Sequence, residues 1–448
     1  MEGSIQAPIR HPIPWREDDF FDQASLDEEL RRVFDICHGC RRCFNLCDSF
    51  PQLFDAIDES ESGELDTVDS DLFPKIADSC TLCDMCFLTK CPYVPPHEFN
   101  IDFPHLMLRS RAVELSKNGK PPFVQSQLAK TDRNGEIGKL IGFVLNFFTS
   151  LSNKVFRKFL DFSFGIDFKV LLPKFDMKKI KVPSANLSGK AKNRKAVIFT
   201  TCYANYNRTE IADASLAILA AQGVEIEINY PGCCGMPLLE QGNIEEVSKS
   251  ARRISQSFIS FIDKGYDVIA LGSSCALMMK YEWPLILPEN DAVKILSENI
   301  FDIDEYIVDI AKKEGLVDGM NPVDGAISLH LACHSRAQNM GPKSNELLRL
   351  IPDAEISIVE RCSGHGGTFG VLSETHDLAR KIGKPAARKI DQSNPSYVIS
   401  SCPLASKHLS QIIKEDINDN NSKDFKSGHP VELMAVSYGF LKKDEMSE

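Results

Sequence analysis

The sequence predicts a chain of mixed class, with a helical, cysteine-rich α+β domain at the N-terminus and two tandem α/β domains after it. Three observations support this prediction. Eight of the fifteen cysteines lie in two tight groups between residues 37 and 91. From Lys195 onward, short apolar runs of β type alternate with helical stretches, as in parallel sheets covered by helices. The cysteines of this second part recur at a nearly constant spacing, which indicates an internal duplication.

The length and composition are those of a large folded protein. The chain has 448 residues, of which 43% are hydrophobic and 25% charged, so wholesale disorder is excluded. Lys and Arg number 51 against 63 Asp and Glu, and the net charge is −12. Nucleic acid is therefore not an expected partner. No apolar run reaches the roughly 18 residues that a membrane-spanning helix needs.

The cysteine usage points to a reducing compartment. Fifteen is an odd number, so complete internal pairing in disulfides is impossible. The first residues, MEGSIQAPIRHPIPW, lack a basic segment followed by an apolar one, so we expect no secretory signal and a cytoplasmic location. Clustered cysteines in that setting are typical of metal binding or redox chemistry.

Composition divides the chain into four segments. We expect an N-terminal cysteine domain, a helical and amphipathic linker region, and two repeated α/β domains, at residues 1–118, 119–193, 194–322 and 323–448 respectively. Within the first, a helix is expected at 105–117. The stretch 52–74 has eight carboxylates and no Lys or Arg, which indicates either a solvated loop or a docking surface for a basic partner.

The linker region contains one apolar stretch that needs an explanation. The run 140–151 (LIGFVLNFFTSL) is too short to span a bilayer, and Lys154, Arg157 and Lys158 follow it among apolar residues. This pattern fits an amphipathic helix that lies on a membrane or on a partner protein. The alternative is an ordinary buried helix. The first alternative would place the protein peripherally on the inner face of the cytoplasmic membrane.

The strand and helix pattern occurs twice after residue 194. Strands are expected at 196–200, 224–229, 268–271, 326–331, 355–359 and 397–400. Helices are expected at 211–222, 244–264, 346–350 and 376–390.

The cysteines of the two halves are in register. The matching pairs are Cys202 with Cys333, Cys233 with Cys362, and Cys275 with Cys402, and their spacings are 131, 129 and 127 residues. Each follows a predicted strand, and ligands of parallel sheets bind at the carboxyl ends of strands. We therefore expect the three cysteines of each half to converge on one site.

The N-terminal cysteines have the spacing of cluster ligands. The first group is Cys37, Cys40, Cys43 and Cys47, and the second is Cys80, Cys83, Cys86 and Cys91. Two-residue gaps let one loop present three thiolates to a cubane cluster, while the fourth cysteine of each run binds the other cluster. The prediction is thus two [4Fe-4S] clusters, one held by Cys37, Cys40, Cys43 and Cys91, the other by Cys80, Cys83, Cys86 and Cys47.

Two details of these motifs depart from the common form. No Pro directly follows Cys47, and four residues instead of three precede Cys91. We expect the ligands to be retained and the local loop shape to differ. Structural zinc is the alternative, but it typically uses paired CxxC motifs and does not explain three equally spaced cysteines plus a fourth, twice.

These motifs resemble those of a known family, and so do the runs CPYVPPHEFNIDFP, YPGCCGMP and HLACH. The chain is similar to the iron–sulfur C subunit of anaerobic glycerol-3-phosphate dehydrogenases and to heterodisulfide reductase-related iron–sulfur oxidoreductases. The resemblance covers about residues 33–110 and 195–410. It implies a ferredoxin-like domain with two [4Fe-4S] clusters, followed by two cysteine-rich CCG domains.

In the reductase branch of the family, five cysteines of a full CCG motif hold an unusual [4Fe-4S] cluster. The first half of this chain keeps Cys202, Cys233, Cys234 and Cys275, and one family cysteine is missing because positions 272 and 278 are Gly and Met. Four thiolates suffice for an ordinary cluster or for tetrahedral zinc. The first half is therefore a candidate third metal site, and a dead structural repeat is the alternative for the second half.

The second half is more degenerate. It keeps Cys333, Cys362 and Cys402, while Ser363 replaces the second cysteine of the corner and Ala405 stands where a terminal CxxC would end. Candidates for a fourth ligand there are His334 and His365, and the alternative is that both are simply polar residues at a strand end.

The resemblance implies an electron-transfer subunit of an anaerobic-type redox complex. Its partners would be a flavin dehydrogenase and a quinone or another acceptor, and no catalytic residue can be assigned. The alternatives are a thiol–disulfide reductase of the heterodisulfide reductase type and a zinc-bearing scaffold.

Overall fold

The computed structural model describes residues 7–186, 188–417 and 424–446, so the outermost ends of the predicted first and last domains lie outside it. The chain forms two compact units. The first unit comprises Met1–Ala129, Gly235–Lys249 and Glu282–Asn290. The second comprises Lys130–Cys234, Ser250–Tyr281 and Asp291–Glu448.

The regular secondary structure described in the first unit is helical. Its N-terminal helices are α1 (Gln23–Cys40), α2 (Ser49–Asp58), α3 (Phe73–Asp78), α4 (Phe103–Asn118) and α5 (Phe123–Ala129), with a π-helical turn at Cys86–Lys90. The helix expected at 105–117 is α4, which Asp102 caps by accepting a hydrogen bond from the His105 amide at 3.1 Å. Phe34, Leu53 and Phe73 are fully buried in this unit and form part of its core.

A buried ion cluster lies at the base of the second cysteine loop in the first unit. Arg10 donates from Nη2 to Asp84 at 2.8 Å, from Nε to Asp102 at 2.8 Å and from Nη1 to Glu282 at 3.1 Å. His105 contacts the other oxygen of Glu282 at 3.1 Å. One guanidinium therefore bonds to all three carboxylates, and His105 adds contacts to Asp102 and Glu282. The cluster ties the N-terminal segment to the loop between Cys83 and Cys86.

The second unit contains two parallel four-stranded sheets with the same strand order. The first sheet has the order β2-β1-β3-β4 and the second β6-β5-β7-β8. The strands are β1 (Lys195–Phe199), β2 (Glu225–Ile228), β3 (Asp267–Ala270), β4 (Ile300–Asp302), β5 (Ile327–His330), β6 (Ile356–Val359), β7 (Tyr397–Ser400) and β8 (Lys426–Gly428). The six predicted strands and the duplicated topology are confirmed. The fourth strand of each sheet was not predicted, because three residues are too few to show a periodic pattern.

Helices connect these strands, as parallel pairing requires. The helices after the first unit's N-terminal part are α6 (Thr131–Thr149), α7 (Lys154–Phe164), α8 (Thr201–Tyr206), α9 (Thr209–Ala221), α10 (Met236–Leu239), α11 (Ile244–Ile262), α12 (Ser273–Leu277), α13 (Trp283–Ile286), α14 (Asp291–Asn299), α15 (Ile303–Lys313), α16 (Cys333–Arg336), α17 (Lys343–Leu348), α18 (His376–Gln392), α19 (Pro403–Ile412) and α20 (Pro430–Ser437). The four helices expected in the repeats are confirmed as α9, α11, α17 and α18.

The two sheets share one hydrophobic core. Ile198 and Ile269 of the first sheet and Leu329 and Ile399 of the second are fully buried and belong to one cluster. Strands β1, β5 and β7 are almost entirely buried, which accounts for their continuous apolar runs. The repeats therefore fold together as one unit.

Helices α6 and α7 expose large apolar side chains, and on α6 the buried positions include glycines. The buried residues of α6 include Gly135, Gly138 and Gly142, whereas Leu140 and Phe143 are 83% and 77% exposed. A Cβ added at Gly138 would lie 2.1 Å from the ring of Phe175, so only glycine allows this approach. The alternative of an ordinary buried helix is thus wrong for this stretch. Among the described residues, no helix is long and apolar enough to cross a membrane.

Candidate functional site

The thiols of the first repeat converge at the carboxyl ends of its strands. Cys202 lies in α8, directly after β1, and Cys275 lies in α12, directly after β3. Cys233 and Cys234 follow β2, and the chain leaves them through Gly235, whose φ of 90° is in the left-handed region that favours glycine. The parallel sheet thus brings four thiols together from three separate stretches of chain.

The four thiols form a connected row. Cys202 shares a hydrogen bond with Cys233, and Cys234 shares hydrogen bonds with Cys233 and Cys275. These contacts, together with burial, raise the pKa of Cys202 and Cys234 well above the ordinary thiol value. Thiolates are therefore costly here unless a positive charge joins them, and a bound metal centre supplies that charge. The donor set fits an iron–sulfur cluster or a thiolate-bound metal ion.

A second layer of polar groups surrounds this row. Asp132, at the start of α6, accepts hydrogen bonds from the Tyr230 hydroxyl at 2.5 Å and from the Cys233 amide at 2.8 Å. Thr131 lies against the Cys202 thiol and by itself lowers the pKa of that thiol. Cys233 and burial raise the same pKa by more, so the net shift is upward. Burial, together with the charges of Cys202 and Asp132, raises the pKa of Tyr230. The helix thereby fixes the orientation of the cysteine corner.

Sequence reasoning missed Asp132, Thr131 and Tyr230. Asp132 is 101 residues away from Cys233 along the chain and has no motif around it. Only the proximity of Tyr230 to the cysteine corner is a local signal, and it does not predict a polar role.

The second repeat places its cysteines at equivalent strand ends, with different surroundings. Cys333 begins α16, and Cys402 is the N-cap residue of α19. Cys362 is exposed, and its sulfur accepts a hydrogen bond from the Gly364 amide at 3.4 Å. The charge of Cys402 acts on the buried Tyr203 of α8. The second repeat therefore keeps three thiols at the equivalent strand ends, and one of them, Cys362, is exposed.

The two candidate histidines of the second repeat differ from each other. His334 contacts Ser274 of the first repeat through Nδ1 at 2.8 Å. His365 is held neutral, because burial lowers its pKa to about 4. Its ring lies 5.9 Å from that of His408, which is buried as well. Whether either ring binds a metal stays a prediction.

The N-terminal cysteines approach one another in two groups that cross between the motifs. Burial raises the pKa of Cys37, and the charges of Cys91, Cys43 and Cys40 raise it further. Burial and the charges of Cys80 and Cys83 do the same for Cys47. Cys86 is affected by burial and by the charges of Cys80, Cys83, Cys47 and Cys43. The last cysteine of each motif thus acts on cysteines of the other motif, and Cys43 of the first motif acts on the second as well.

Unusual backbone conformations shape these loops. Arg41, Leu82 and Asp84 have φ values of 52°, 47° and 62°, which are rare for residues other than glycine. Such turns point successive residues inward around a small volume. Among the described residues, no three His, Cys, Asp or Glu side chains form a group that could hold a metal ion as the side chains stand.

Comparison with known proteins defines the class of the two repeats. Residues 196–280 and 327–409 match the model of the CCG cysteine-rich domain family. The chain therefore carries two CCG domains. The first match spans strands β1 to β3 of one parallel sheet, and the second spans β5 to β7 of the other.

Three relatives are similar over larger parts of the chain. The C subunit of the anaerobic glycerol-3-phosphate dehydrogenase of Escherichia coli K12 is 25% identical over 321 residues, which cover 70% of this chain and 77% of the relative. The B subunit of the fumarate reductase (CoM/CoB) of Methanothermobacter marburgensis is 27% identical over 54% of this chain and 46% of its own. The D subunit of the dihydromethanophenazine:CoB–CoM heterodisulfide reductase of Methanosarcina barkeri is 25% identical over 54% of this chain and 59% of its own. The resemblance stated from the motifs is confirmed.

Proposed function

We propose that this protein is an iron–sulfur electron-transfer subunit of an anaerobic-type redox complex, which relays electrons between a partner flavin dehydrogenase and a quinone or another acceptor. The observation that carries the proposal is the hydrogen-bonded row of four thiols in the first repeat. The charges that Cys91 and Cys47 exert on cysteines of the opposite N-terminal motif support it. The similarity to named dehydrogenase and reductase subunits supports it. The location we propose is cytoplasmic.

The first two groups would hold [4Fe-4S] clusters. We assign Cys37, Cys40, Cys43 and Cys91 to one cluster and Cys47, Cys80, Cys83 and Cys86 to the other. The clusters would supply one-electron redox chemistry, while the chain provides the thiolates and a largely buried site. Backbone hydrogen bonds from Tyr93 and Val94 to the sulfur of Cys91 would raise the potential of the nearby cluster.

The first CCG domain would hold a third centre. Its ligands would be Cys202, Cys233, Cys234 and Cys275, with Asp132 and Thr131 positioning the first two. The second CCG domain keeps only Cys333, Cys362 and Cys402, with Ser363 in place of the second corner cysteine, and Cys362 is exposed. We therefore propose an incomplete or absent centre there.

Iron and acid-labile sulfide in the anaerobically reconstituted protein test the proposal directly. Two [4Fe-4S] clusters give about eight irons per chain, and a third [4Fe-4S] centre raises the value to about twelve. Electron paramagnetic resonance after dithionite reduction then shows whether the clusters accept electrons. Zinc in place of iron would favour the scaffold alternative and overturn the proposal.

Double variants test the crossed ligand assignment. Cys37→Ala and Cys91→Ala should each remove about four irons, and the double variant should remove no more, because both residues hold one cluster. Cys80→Ala combined with Cys91→Ala should remove about eight. If the second pair is non-additive and the first additive, each motif holds its own cluster and the assignment is wrong. Cys362→Ala serves as the control, with no expected loss of iron.

The acceptor is tested with the reduced protein. Anaerobic oxidation by a soluble quinone analogue, followed by cluster absorbance, is expected to be fast. The similarity to part of a heterodisulfide reductase favours disulfide reduction as a second candidate. Rapid oxidation by a disulfide but not by the quinone analogue would select that candidate instead.

A further inference from the structure

The second unit exposes an unusual amount of apolar surface in one segment. Of the 23 large apolar side chains that are exposed among the described residues, 15 lie between Ile137 and Val182. That segment is about a tenth of the chain. Patches of this kind on a water-soluble surface mark sites of interaction with a partner or a membrane.

The exposed residues lie along one side of each helix. On α6, Leu140 precedes a kink at Ile141, and Phe143, Val144 and Phe147 follow it at spacings of three and four residues. On α7, Val155, Phe159 and Phe162 recur at four and three residues and are 83%, 52% and 95% exposed. We call these seven residues the apolar face. Spacings of three and four place side chains on the same side of a helix.

The opposite side of α6 explains why the large residues cannot turn inward. Gly135 and Gly138 lie so close to Tyr206 and Phe175 that an added Cβ would come within 2.2 and 2.1 Å of their rings. The space beneath the helix is therefore already filled by the ring of Tyr206, from α8, and the ring of Phe175, from the segment before β1. The apolar face is fixed outward by packing.

The charge around the apolar face is opposite to that of the whole protein. Residues 130–182 carry eleven Lys and Arg against five Asp and Glu, whereas the whole chain has a net charge of −12. Lys154 and Lys158 are exposed and adjoin Val155 and Phe159 on α7. Apolar and aromatic residues bordered by lysines are typical of helices that lie in the interface of an anionic bilayer.

The two helices are firmly attached to the CCG domains. At its start α6 contacts the thiol row through Thr131 and Asp132, and Leu140 is eight residues further, about 12 Å along the helix axis. The end of α7 is joined to the second domain, because Gly165 accepts a hydrogen bond from the Ser373 amide at 2.8 Å. The two helices that carry the apolar face are therefore hydrogen-bonded to both repeats of the second unit.

We propose that the apolar face docks on an anionic lipid bilayer and seats the CCG domains at the membrane surface. The inference deepens the proposed function, because it places the first thiol row near the compartment of lipid-soluble acceptors. Docking itself does not depend on electron transfer, so the two can fail separately.

Vesicle flotation of the full-length protein tests the proposal. The probes are unilamellar vesicles of phosphatidylcholine alone and of phosphatidylcholine with phosphatidylglycerol. The wild-type protein should float with the anionic vesicles. The triple variant Phe143→Ser/Phe147→Ser/Phe162→Ser should bind them at least tenfold more weakly. Phe123→Ser is the matched control, since Phe123 is 67% exposed in the first unit and should leave binding unchanged.

A variant without two of the lysines measures how much electrostatic attraction contributes to vesicle binding. Lys154→Gln/Lys158→Gln should weaken binding to anionic vesicles by about 25-fold, at about fivefold per lysine, and should leave binding to neutral vesicles unchanged. All the substituted side chains are exposed, so the variants are expected to fold. Circular dichroism and iron content like those of the wild type check this.

Two results would overturn the proposal. One is a wild-type protein that stays unbound with both kinds of vesicle. The other is a wild-type dimer, seen by light scattering, that the Phe variants dissociate, because the face would then bind a second copy. Vesicle binding by a protein that holds no iron would leave docking intact and refute the electron-transfer proposal alone.

Discussion

Replacing Arg10 with Met is expected to destabilise the first unit strongly, because it removes the guanidinium that bonds to all three largely buried carboxylates of the ion cluster. The side chains of Asp84 and Glu282 are 5% exposed, and that of Asp102 is 20% exposed. Methionine fills much of the same volume, so the change tests charge rather than packing. The perturbation also releases the N-terminal segment from the loop that carries Cys83 and Cys86.

The size of the effect follows from the environment of the carboxylates. Breaking a buried ion pair from one side costs about 3–5 kcal/mol. Burial by itself would raise the pKa of Asp102, but His105 and Arg10 more than offset it and hold the pKa at about 2. Against an unfolded value near 3.8, this shift corresponds to about 2 kcal/mol of stability from Asp102 alone.

Anaerobic urea unfolding, followed by cluster absorbance, is the assay. With a slope of about 3 kcal/mol per molar, a loss of about 3–5 kcal/mol lowers the midpoint by about 1–1.7 M. Arg16→Met is the matched control. Arg16 bonds to Glu289 at 2.6 Å, but both side chains are about half exposed, so its loss should cost less than about 1 kcal/mol.

The dependence on pH provides a second check. The depressed pKa of Asp102 gives stability that is present above pH 4 and lost as the pH falls towards 2. In Arg10→Met the Asp102 carboxylate has lost its guanidinium partner, so we expect its pKa to be higher than in the wild type. Protonation at lower pH then removes the cost of burying an unpaired negative charge. The stability gap between the two proteins should therefore narrow as the pH falls from 7.5 to 5.5. A gap that stays below about 1 kcal/mol, or one that widens on acidification, would contradict a role of Arg10 as counter-ion of the buried carboxylates.

Further changes in the second unit have expected outcomes. Arg208→Met should destabilise the unit by about 3 kcal/mol in urea unfolding, because Glu432, its partner at 2.6 Å, is 1% exposed and loses its counter-ion. Gly138→Ala should lower the hydrogen-exchange protection of α6 by about 1–3 kcal/mol, because the new Cβ overlaps the Phe175 ring. Arg157→Met should accelerate proteolysis after α7, because the buried guanidinium donates to the carbonyls of residues 167, 168 and 170. Unchanged behaviour in any of these assays would contradict the corresponding contact.

Local spacing in the sequence encodes several features of this protein. Alternating apolar runs predicted the six longer strands, because a buried parallel strand must be apolar on both faces. Three cysteine pairs in register predicted the duplication that the CCG matches confirm. The spacing of the N-terminal cysteines predicted crossed ligand groups, and Cys91 does lie near Cys37 in the fold, although their binding of a cluster stays a prediction.

Contacts between residues far apart in the chain depend on the fold and could not be predicted from local patterns. Asp132 reaches Cys233 and Arg10 reaches Glu282, and no local pattern encodes a contact across 101 or 272 residues. The run after Leu140 was equally compatible with a buried helix and an exposed one, because both are apolar. The structure resolved this by placing aromatic rings beneath α6, where only glycine fits, so that the helix must present its phenylalanines outward.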